Sequence, residues 1–555
     1  MIDTIKNWLA GEIHKTLKNL EIDGDIKGFR VEVPPNRDFG DFSTNLAMVG
    51  AKVAKKPPRK LAAEISKQLE AYDFIKEVKI AGPGFINIFL TEAFYRKELL
   101  EILNQPNEEA FSLNYGKGKK IQLEFVSANP TGPLTVGHGR QAVIGDVLSS
   151  VYERFGFDVT REYYFNDAGK QMKMLSRSLW VRYNQLFDVE NEIPEGGYRG
   201  EYIIELAETV KAQIGDQYVD QWNDEIEEFF LKKAKDAMFD HIKATLKKLD
   251  IHFDVYFSEG SLFEDGTVEK VRKLFTEKGY LYEDEGALWL KVSEFIDEKD
   301  KVLIRSDGMP TYFFTDIANH YKKHERGFDK VYNIWGADHH GHIPRMKAAM
   351  QALGFEEDFF NVILHQMVTL KKEGKEVKMS TRAGTFTTLN ELIEMVGKSA
   401  TRYFYAMVDK DGQLIFDIDL ARSRSMDNPV FYVQYAHARI CSLFDNAQEK
   451  GVAFNETENL DRLGSRDDNL MIRELVLYKD NLEEVIQTNS PHKLTNYLYE
   501  LAALFHQYYN KNVFVDAQDP DLTNARLNLA FAVRKVLADG LNLLGVEAPQ
   551  KMEQL

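Results

Sequence analysis

The sequence predicts an α/β multidomain protein. A small α+β unit comes first, then a doubly wound parallel sheet carrying a mostly helical acidic insertion, then an all-α tail. Three observations carry this. The chain has 555 residues, 44% of them apolar, which is too long for one core and too apolar for a disordered chain. Strand and helix patterns alternate through its middle, as they do in parallel sheets. From about Met426 onward only helical periodicity remains.

The first unit is drawn at residues 1–115. Helical spacing over 5–20 and 61–69 alternates with short β-branched runs at 78–80 and 85–88. Between them, Lys52, Lys55, Lys56, Arg59 and Lys60 crowd around Pro57-Pro58. Such a cluster reads equally well as a solvated turn or as a patch that contacts phosphates. A Gly- and Lys-rich linker over 114–120 leads into the central domain, drawn at 116–425. Residues 121–126 read as a strand. A turn with Pro130 and Pro133 follows, then a helix on which Val143, Val147 and Val151 share one face beside Ile144, Leu148 and Phe155. Strand–loop–helix units of this kind bind nucleotides. Apolar runs at 331–335 and 362–370, with a helix over 343–353 between them, predict two more strands of the same sheet. Residues 426–555 form the tail, with helices expected over 432–444, 470–486, 494–509 and 525–544.

Charge first argues against a nucleic-acid partner. Lys plus Arg number 70 and Asp plus Glu 87, a net charge of −17, whereas nucleic-acid binders usually carry a basic domain or stripe. The charge is uneven, however. Residues 181–300, the expected insertion, hold −14 of it and the rest of the chain −3. That stretch keeps helical apolar spacing at Ile203, Leu206 and Val210, so it is folded, and its acidic face is expected to point away from any polyanion. One cysteine, Cys441, excludes an internal disulfide and a multi-Cys zinc site. No run approaches the ~18 apolar residues of a membrane span, and the first ten residues lack a secretory layout. A cytoplasmic protein is expected.

Two segments carry chemistry. The first runs Asn129-Pro130-Thr131-Gly132-Pro133-Leu134-Thr135-Val136-Gly137-His138-Gly139-Arg140. A Gly-His-Gly at a helix start offers free N–H groups and the positive dipole end to an anion. Gly137 and Gly139 let a base or phosphate approach the backbone, and His138 can donate to a phosphoryl oxygen. The second runs from Lys371 to Gly384 and includes Lys375, Lys378, Met379, Ser380, Thr381 and Arg382. At the carboxyl end of a strand in the same sheet, it could close over a triphosphate. Either segment alone would pass for an ordinary turn. Asp338, His339, His340 and His342 suggest metal ligands, although histidines in a Gly-flanked loop after a strand fit substrate contact better.

Together the two segments resemble the paired His-Ile-Gly-His and Lys-Met-Ser-Lys-Ser signatures of class I aminoacyl-tRNA synthetases. Longer stretches narrow the resemblance to the arginyl-tRNA synthetases: Glu124-Phe125-Val126-Ser127-Ala128-Asn129, Tyr164-Phe165-Asn166-Asp167-Ala168-Gly169, Arg305-Ser306-Asp307-Gly308 and Trp335-Gly336-Ala337-Asp338-His339-His340-Gly341. Pro35 to Asp41 and Phe431 to Arg439 fit as well, so the resemblance spans nearly the whole chain in order.

The resemblance implies a Rossmann-type catalytic domain that activates arginine with ATP and passes it to its tRNA, without a protein nucleophile. It implies catalytic roles for His138, Lys378 and Ser380, with ATP held by Thr135, Gly137, His138, Gly139, Gly336, Asp338 and Met379. Magnesium would accompany ATP, and no metal would be bound by the protein itself. Arginine would be held by Glu124, Asn129, Tyr312, Asp316 and His340, because a planar cation is best matched by carboxylates. The N-terminal unit would touch tRNA through Lys52, Lys55, Lys56 and Arg59, and the helical anticodon-binding tail through Tyr432, Tyr435 and Arg439. A monomer with no membrane or DNA partner is implied. Thr135 and Thr381 depart from the signatures, where a His and a Lys are usual. They leave open a non-catalytic tRNA-binding relative. A small-molecule nucleotidylyltransferase shares the Gly-His motif, but needs neither terminal unit.

Overall fold

The computed structural model describes residues 4–22, 26–34, 36–167, 169–377, 387–516 and 518–552. In the N-terminal unit, strands Val31–Glu32, Phe42–Thr44, Ile75–Ala81 and Phe85–Leu90 form one antiparallel sheet in the order first, second, fourth, third. Helices Ile5–Asn19, Leu46–Ala54 and Pro58–Leu69 cover it, burying Leu9, Ile13, Leu61 and Ile65 against Ile86 and Ile88. The cationic run is no long loop. It spans the end of one helix, a left-handed turn at Lys55 (φ 51°) and a helix started by Pro58. The next helix, Glu92–Asn104, packs on the tail, and Lys535 donates to the carbonyls of Ile102, Leu103 and Gln105 at its end.

The central sheet has five parallel strands: β1 (Lys120–Glu124), β2 (Asp158–Phe165), β3 (Val255–Ser258), β4 (Lys330–Gly336) and β5 (Phe360–His365). Their spatial order is β5-β4-β1-β2-β3. The chain starts at the centre, steps out to one edge, then returns to build the other. The reversal lies between β1 and β4, where doubly wound sheets bind ligands beyond the strands' carboxyl ends. Helix α1 (Val136–Arg154) follows β1, with Val143, Ile144, Val147, Leu148 and Val151 all buried. Helix α2 (Tyr312–Glu325) precedes β4.

The stretch 181–300 divides in two. Helices Lys170–Gln185, Glu201–Ile214 and Asp224–Lys248 enclose a core of their own around Leu179, Tyr183, Ile203 and Phe230. The chain then re-enters the central sheet as β3, so this part is not insertion. A four-residue edge strand has too short a pattern to stand out in sequence. A second excursion follows, with helix Thr267–Glu277 and an antiparallel sheet of Leu281–Asp284, Ala287–Leu290 and Lys301–Ile304.

The apolar run 362–370 is not one strand. β5 ends at His365, and Val368–Lys372 belongs to a separate small sheet, parallel to Leu414–Asp417 and antiparallel to Lys375–Glu376. The second motif therefore hangs from a different sheet than expected. The break is enforced at Gln366, whose N–H donates to Lys410 O (2.9 Å) while its carbonyl accepts from the Arg140 guanidinium (2.7 Å). Arg140 is wholly buried and also donates to the carbonyls of Val408, Asp409 and Gly412. Burial lowers it only to about 10, so it stays charged; the four carbonyls satisfy its two terminal nitrogens, while its buried Nε finds no partner among the described residues.

The tail is helical: Pro429–Glu449, Arg466–Val476, Tyr478–Thr488, His492–Lys511 and Pro520–Leu543. The expected helix over 470–486 is two, meeting at Leu477. Among the described residues, no helix is long and apolar enough to cross a membrane.

Candidate active site

β1 ends in strain. Val126 (φ 66°) and Ser127 (φ 41°) both sit in the left-handed region, which is costly for a β-branched side chain. The bend is held by Ser127 Oγ, which donates to Glu124 Oε1 (3.3 Å) and accepts from Tyr164 N–H (3.1 Å). Tyr163 also donates to Ala128 O (2.7 Å). It delivers Asn129 to the sheet's edge, where its oxygen accepts from Asn166 N–H and its amide donates to Gln171.

Helix α1 opens on Thr135 and His138. Thr135 is the N-cap, and its N–H donates to His138 Nδ1 (3.1 Å), closing a capping box in which histidine takes the place usual for Glu or Gln. This bond fixes the tautomer: Nδ1 accepts, so the proton of the neutral ring sits on Nε2. Burial, with His365 nearby, pushes the imidazole down to about 4. His138 is thus an uncharged donor at neutral pH. It lines a cavity of about 310 Å³ with Asn129, Thr131, Gln171, Tyr198 and Tyr202. Thr135, the departure from the signature, is explained as the cap that orients His138.

The two glycines part company. A Cβ on Gly137 would meet nothing closer than Thr135 Oγ1 at 3.7 Å, so its space is open. A Cβ on Gly139 would lie 2.6 Å from Leu389 and 2.8 Å from the Tyr405 hydroxyl. Gly139 is buried, and its lack of a side chain serves helix packing.

Helix α2 presents a polar stripe at helical spacing: Tyr312, Asp316, Asn319, His320 and Lys323. Tyr312 heads the helix after the Thr311 cap and is 64% exposed. Asp316 keeps partial exposure and accepts from His342 Nε2 (2.8 Å). Glu124 is buried, and its Oε2 lies 2.5 Å from the Nζ of Lys323, itself fully buried. Burial favours the neutral acid, but Lys323 and His320 hold Glu124 below the ordinary carboxylate range. Its charge is therefore already paired, which limits what it can offer a guanidinium. Sequence reading passed over a third carboxylate. Glu259, just beyond β3, accepts from Tyr164 (2.6 Å) and Asn166 (2.8 Å), both neutral donors. Burial raises it, with Asp316 and Asp167 adding to the effect. The helical spacing of Lys323 from Asp316 was a legible signal for Lys323; nothing in sequence marked Glu259.

Gly336 ends β4, and Asp338 and His340 stand exposed in the following 3₁₀ turn, where His340 Nδ1 contacts Ala337 O. His342 is spent on Asp316 and Arg345, and among the described residues no group of three or more His, Cys, Asp or Glu could hold a metal. Lys378, Met379, Ser380, Thr381 and Arg382 lie outside the described residues. The chain resumes beside α1, however, with Thr388 bridged to Thr135 and Leu389 N–H donating to Leu134 O. In the N-terminal unit Lys52, Lys55 and Arg59 are exposed, Arg59 donating to Gly82 O, while Lys56 pairs with Glu64 (2.5 Å). In the tail, Tyr432 and Tyr435 pack on His506, and Arg439 lies over the Tyr435 and Tyr509 rings. Tyr435, Arg439 and Tyr509 line an open cavity of about 540 Å³.

A 3-2-1-4-5 parallel sheet, a Thr-x-Gly-His helix start at its switch point and an all-helical tail define a class I aminoacyl-tRNA synthetase. Comparisons with known proteins narrow this. The profile described as "tRNA synthetases class I (R), catalytic domain" matches residues 98–420, flanked by "Arginyl tRNA synthetase N terminal domain" at 4–90 and "DALR anticodon binding domain" at 433–552. The arginine–tRNA ligase of Thermotoga maritima is 58% identical, covering 94% of this chain and 96% of its own. That of Thermotoga petrophila is 55% identical over the full length of both. The solved arginyl-tRNA synthetase of Thermus thermophilus shares the fold, with a TM-score of 0.78 at 22% identity over 99% of this chain and all of that one. The chain belongs to the arginyl-tRNA synthetase family.

Proposed function

We infer that this enzyme activates L-arginine with ATP and charges its tRNA. The carboxylate of arginine attacks the α-phosphorus, the bond to the bridging oxygen breaks, and pyrophosphate leaves. A ribose hydroxyl of the tRNA end then attacks the carbonyl carbon of arginyl-adenylate, and AMP leaves. The observation that carries this reading is the pairing, across one switch point, of an uncharged donor at the start of α1 with a partly exposed carboxylate near the start of α2. One suits a phosphate; the other suits a guanidinium.

In this reading His138 donates to the phosphates as charge develops, with Gly137 leaving room for adenine. Lys378, Met379 and Ser380 serve the phosphates, and Gly336 and Asp338 border the nucleotide. Asp316 and Tyr312 grip the guanidinium with Asn129 and His340, while Glu124, paired with Lys323, sustains the pocket from beneath. Catalysis is positioning and charge stabilisation. Magnesium would arrive on the phosphate oxygens and supply charge neutralisation. The enzyme acts in the cytoplasm, as a monomer, with no membrane or DNA partner. In a charging assay against all twenty amino acids, only arginine should become attached to tRNA. Failure to charge arginine would end the enzyme reading and favour the non-catalytic one.

The tRNA contacts are proposed at the exposed N-terminal cations and, in the tail, at Tyr432 and at the cavity lined by Tyr435 and Arg439, with the acidic stretch facing away. Reversing charge at Lys52, Lys55 and Arg59 together should weaken tRNA binding and flatten its salt dependence, by roughly one unit of log–log slope per lost phosphate contact. An unchanged slope in filter binding would remove the patch from the tRNA footprint.

A further inference from the structure

We propose that His342 is a positioning residue for the amino-acid substrate: it aims Asp316 at the guanidinium. The proposal rests on the reading of Asp316 as a ligand of arginine. Three side chains from three elements form a directed chain. Arg345 Nε lies 2.6 Å from His342 Nδ1, and His342 Nε2 lies 2.8 Å from Asp316 Oδ2. An arginine Nε can only donate, so His342 Nδ1 must accept. The single proton of the neutral ring is thereby on Nε2 and is given to Asp316. The direction of both bonds is set from the Arg345 end.

The ring has little freedom to do otherwise. Its side chain is 12% exposed, with Phe313 edge-on at 5.8 Å and Trp335 tilted at 5.5 Å. Phe313 belongs to the same helix as Asp316, and Trp335 to β4, so the imidazole sits in the seam between α2 and the sheet. One oxygen of Asp316 is held; Oδ1 accepts from no described residue, and the side chain retains 31% exposure. A carboxylate fixed at one oxygen by an uncharged donor keeps its negative charge for a cation. A lysine or arginine in place of His342 would have cancelled it. None of this requires His342 to touch substrate.

The test is tRNA charging kinetics for three variants, with KM measured separately for arginine and ATP. His342→Ala should raise the arginine KM roughly 10- to 100-fold, the value of a lost hydrogen bond to a charged group, and leave the ATP KM within about twofold. His342→Gln, whose amide nitrogen can reach the Nε2 position, should restore most of the loss. Asp316→Asn separates the levels. If it leaves the arginine KM unchanged, the assignment of Asp316 itself fails. If it raises that KM while His342→Ala does not, or if Gln fails to rescue, the positioning role is overturned. Parallel rises in both KM values would likewise overturn it, because they would mark a general structural loss.

Discussion

Replacing His138 with alanine is expected to slow arginyl-adenylate formation by roughly 10²–10³-fold, the usual cost of removing one preorganised donor from a developing oxyanion. The arginine KM should change little, because the pocket at Asp316 lies on the other side of the switch point. Alanine also deletes the capping box, worth about 1 kcal/mol, so two companions separate the effects. His138→Gln keeps an acceptor for Thr135 N–H and a donor beyond it, and should recover both stability and part of the rate. His138→Glu keeps the cap but sets a negative charge against the phosphates; it should be stable and nearly inactive. The pH profile follows from the sign of the shift. With the folded imidazole held near 4 by burial, the active neutral form persists as pH falls from 8 to 5, and no limb near 6.5 should come from this residue. Since the unfolded ring protonates near its ordinary value of 6.5, its contribution to stability is fully present above that pH and erodes towards pH 4. A single-turnover loss below tenfold for the alanine variant would remove His138 from the chemistry.

The parts legible in sequence were those where periodicity and backbone chemistry agreed. Val143, Val147 and Val151 marked α1 because a buried helix needs a continuous apolar face, and Gly137 marked an open approach because nothing else fills its space. Gly139 could not be told from Gly137 by pattern. What distinguishes it is Tyr405, more than 260 residues away in the chain, packed where a methyl would go. The break between β5 and Val368 was hidden for the same reason: its cause is the Arg140 guanidinium gathering carbonyls from 366 and from 408–412. Glu259 and Lys323 act through partners far away in sequence: an isolated Glu carries no sign of burial, and the spacing of Lys323 on α2 marks its face of the helix but not its partner Glu124. The bulk charge misled because it averages an acidic excursion with a near-neutral core. Motif types were readable, whereas the pairing of charges was a tertiary fact.

Arg402→Met should be the most destabilising of these substitutions, costing about 3–5 kcal/mol, as for a buried charge left without its partner. Arg402 is 1% exposed on helix Lys398–Ala406. Its Nε donates to Leu544 O (2.6 Å), one terminal nitrogen to Leu249 O (2.8 Å) and the other to Asp146 Oδ2 (2.5 Å). One guanidinium thus joins the tail, the end of the helical excursion and α1. Gly545 allows it: a Cβ there, at φ 64°, would sit 2.2 Å from the Arg402 Nε. Lysine could not replace it, having no planar fork to span three acceptors. After Arg402→Met, buried Asp146 would retain, among the described residues, only Arg161, 3.6 Å away. Adding Asp146→Asn should therefore return part of the loss, with a coupling of at least about 1 kcal/mol in a double-mutant cycle. Urea unfolding reads both quantities, and a cost under about 1 kcal/mol, or strict additivity, would contradict the assignment. The consequence reaches the chemistry because of where α1 leads. A second ion pair, Arg154 to Asp539 (2.6 Å), ties the far end of α1 to the last tail helix. The helix that presents His138 at one end is tied to the tail through Arg402 at Asp146 and directly at Tyr152 and Arg154, so loosening Arg402 should cost rate as well as stability.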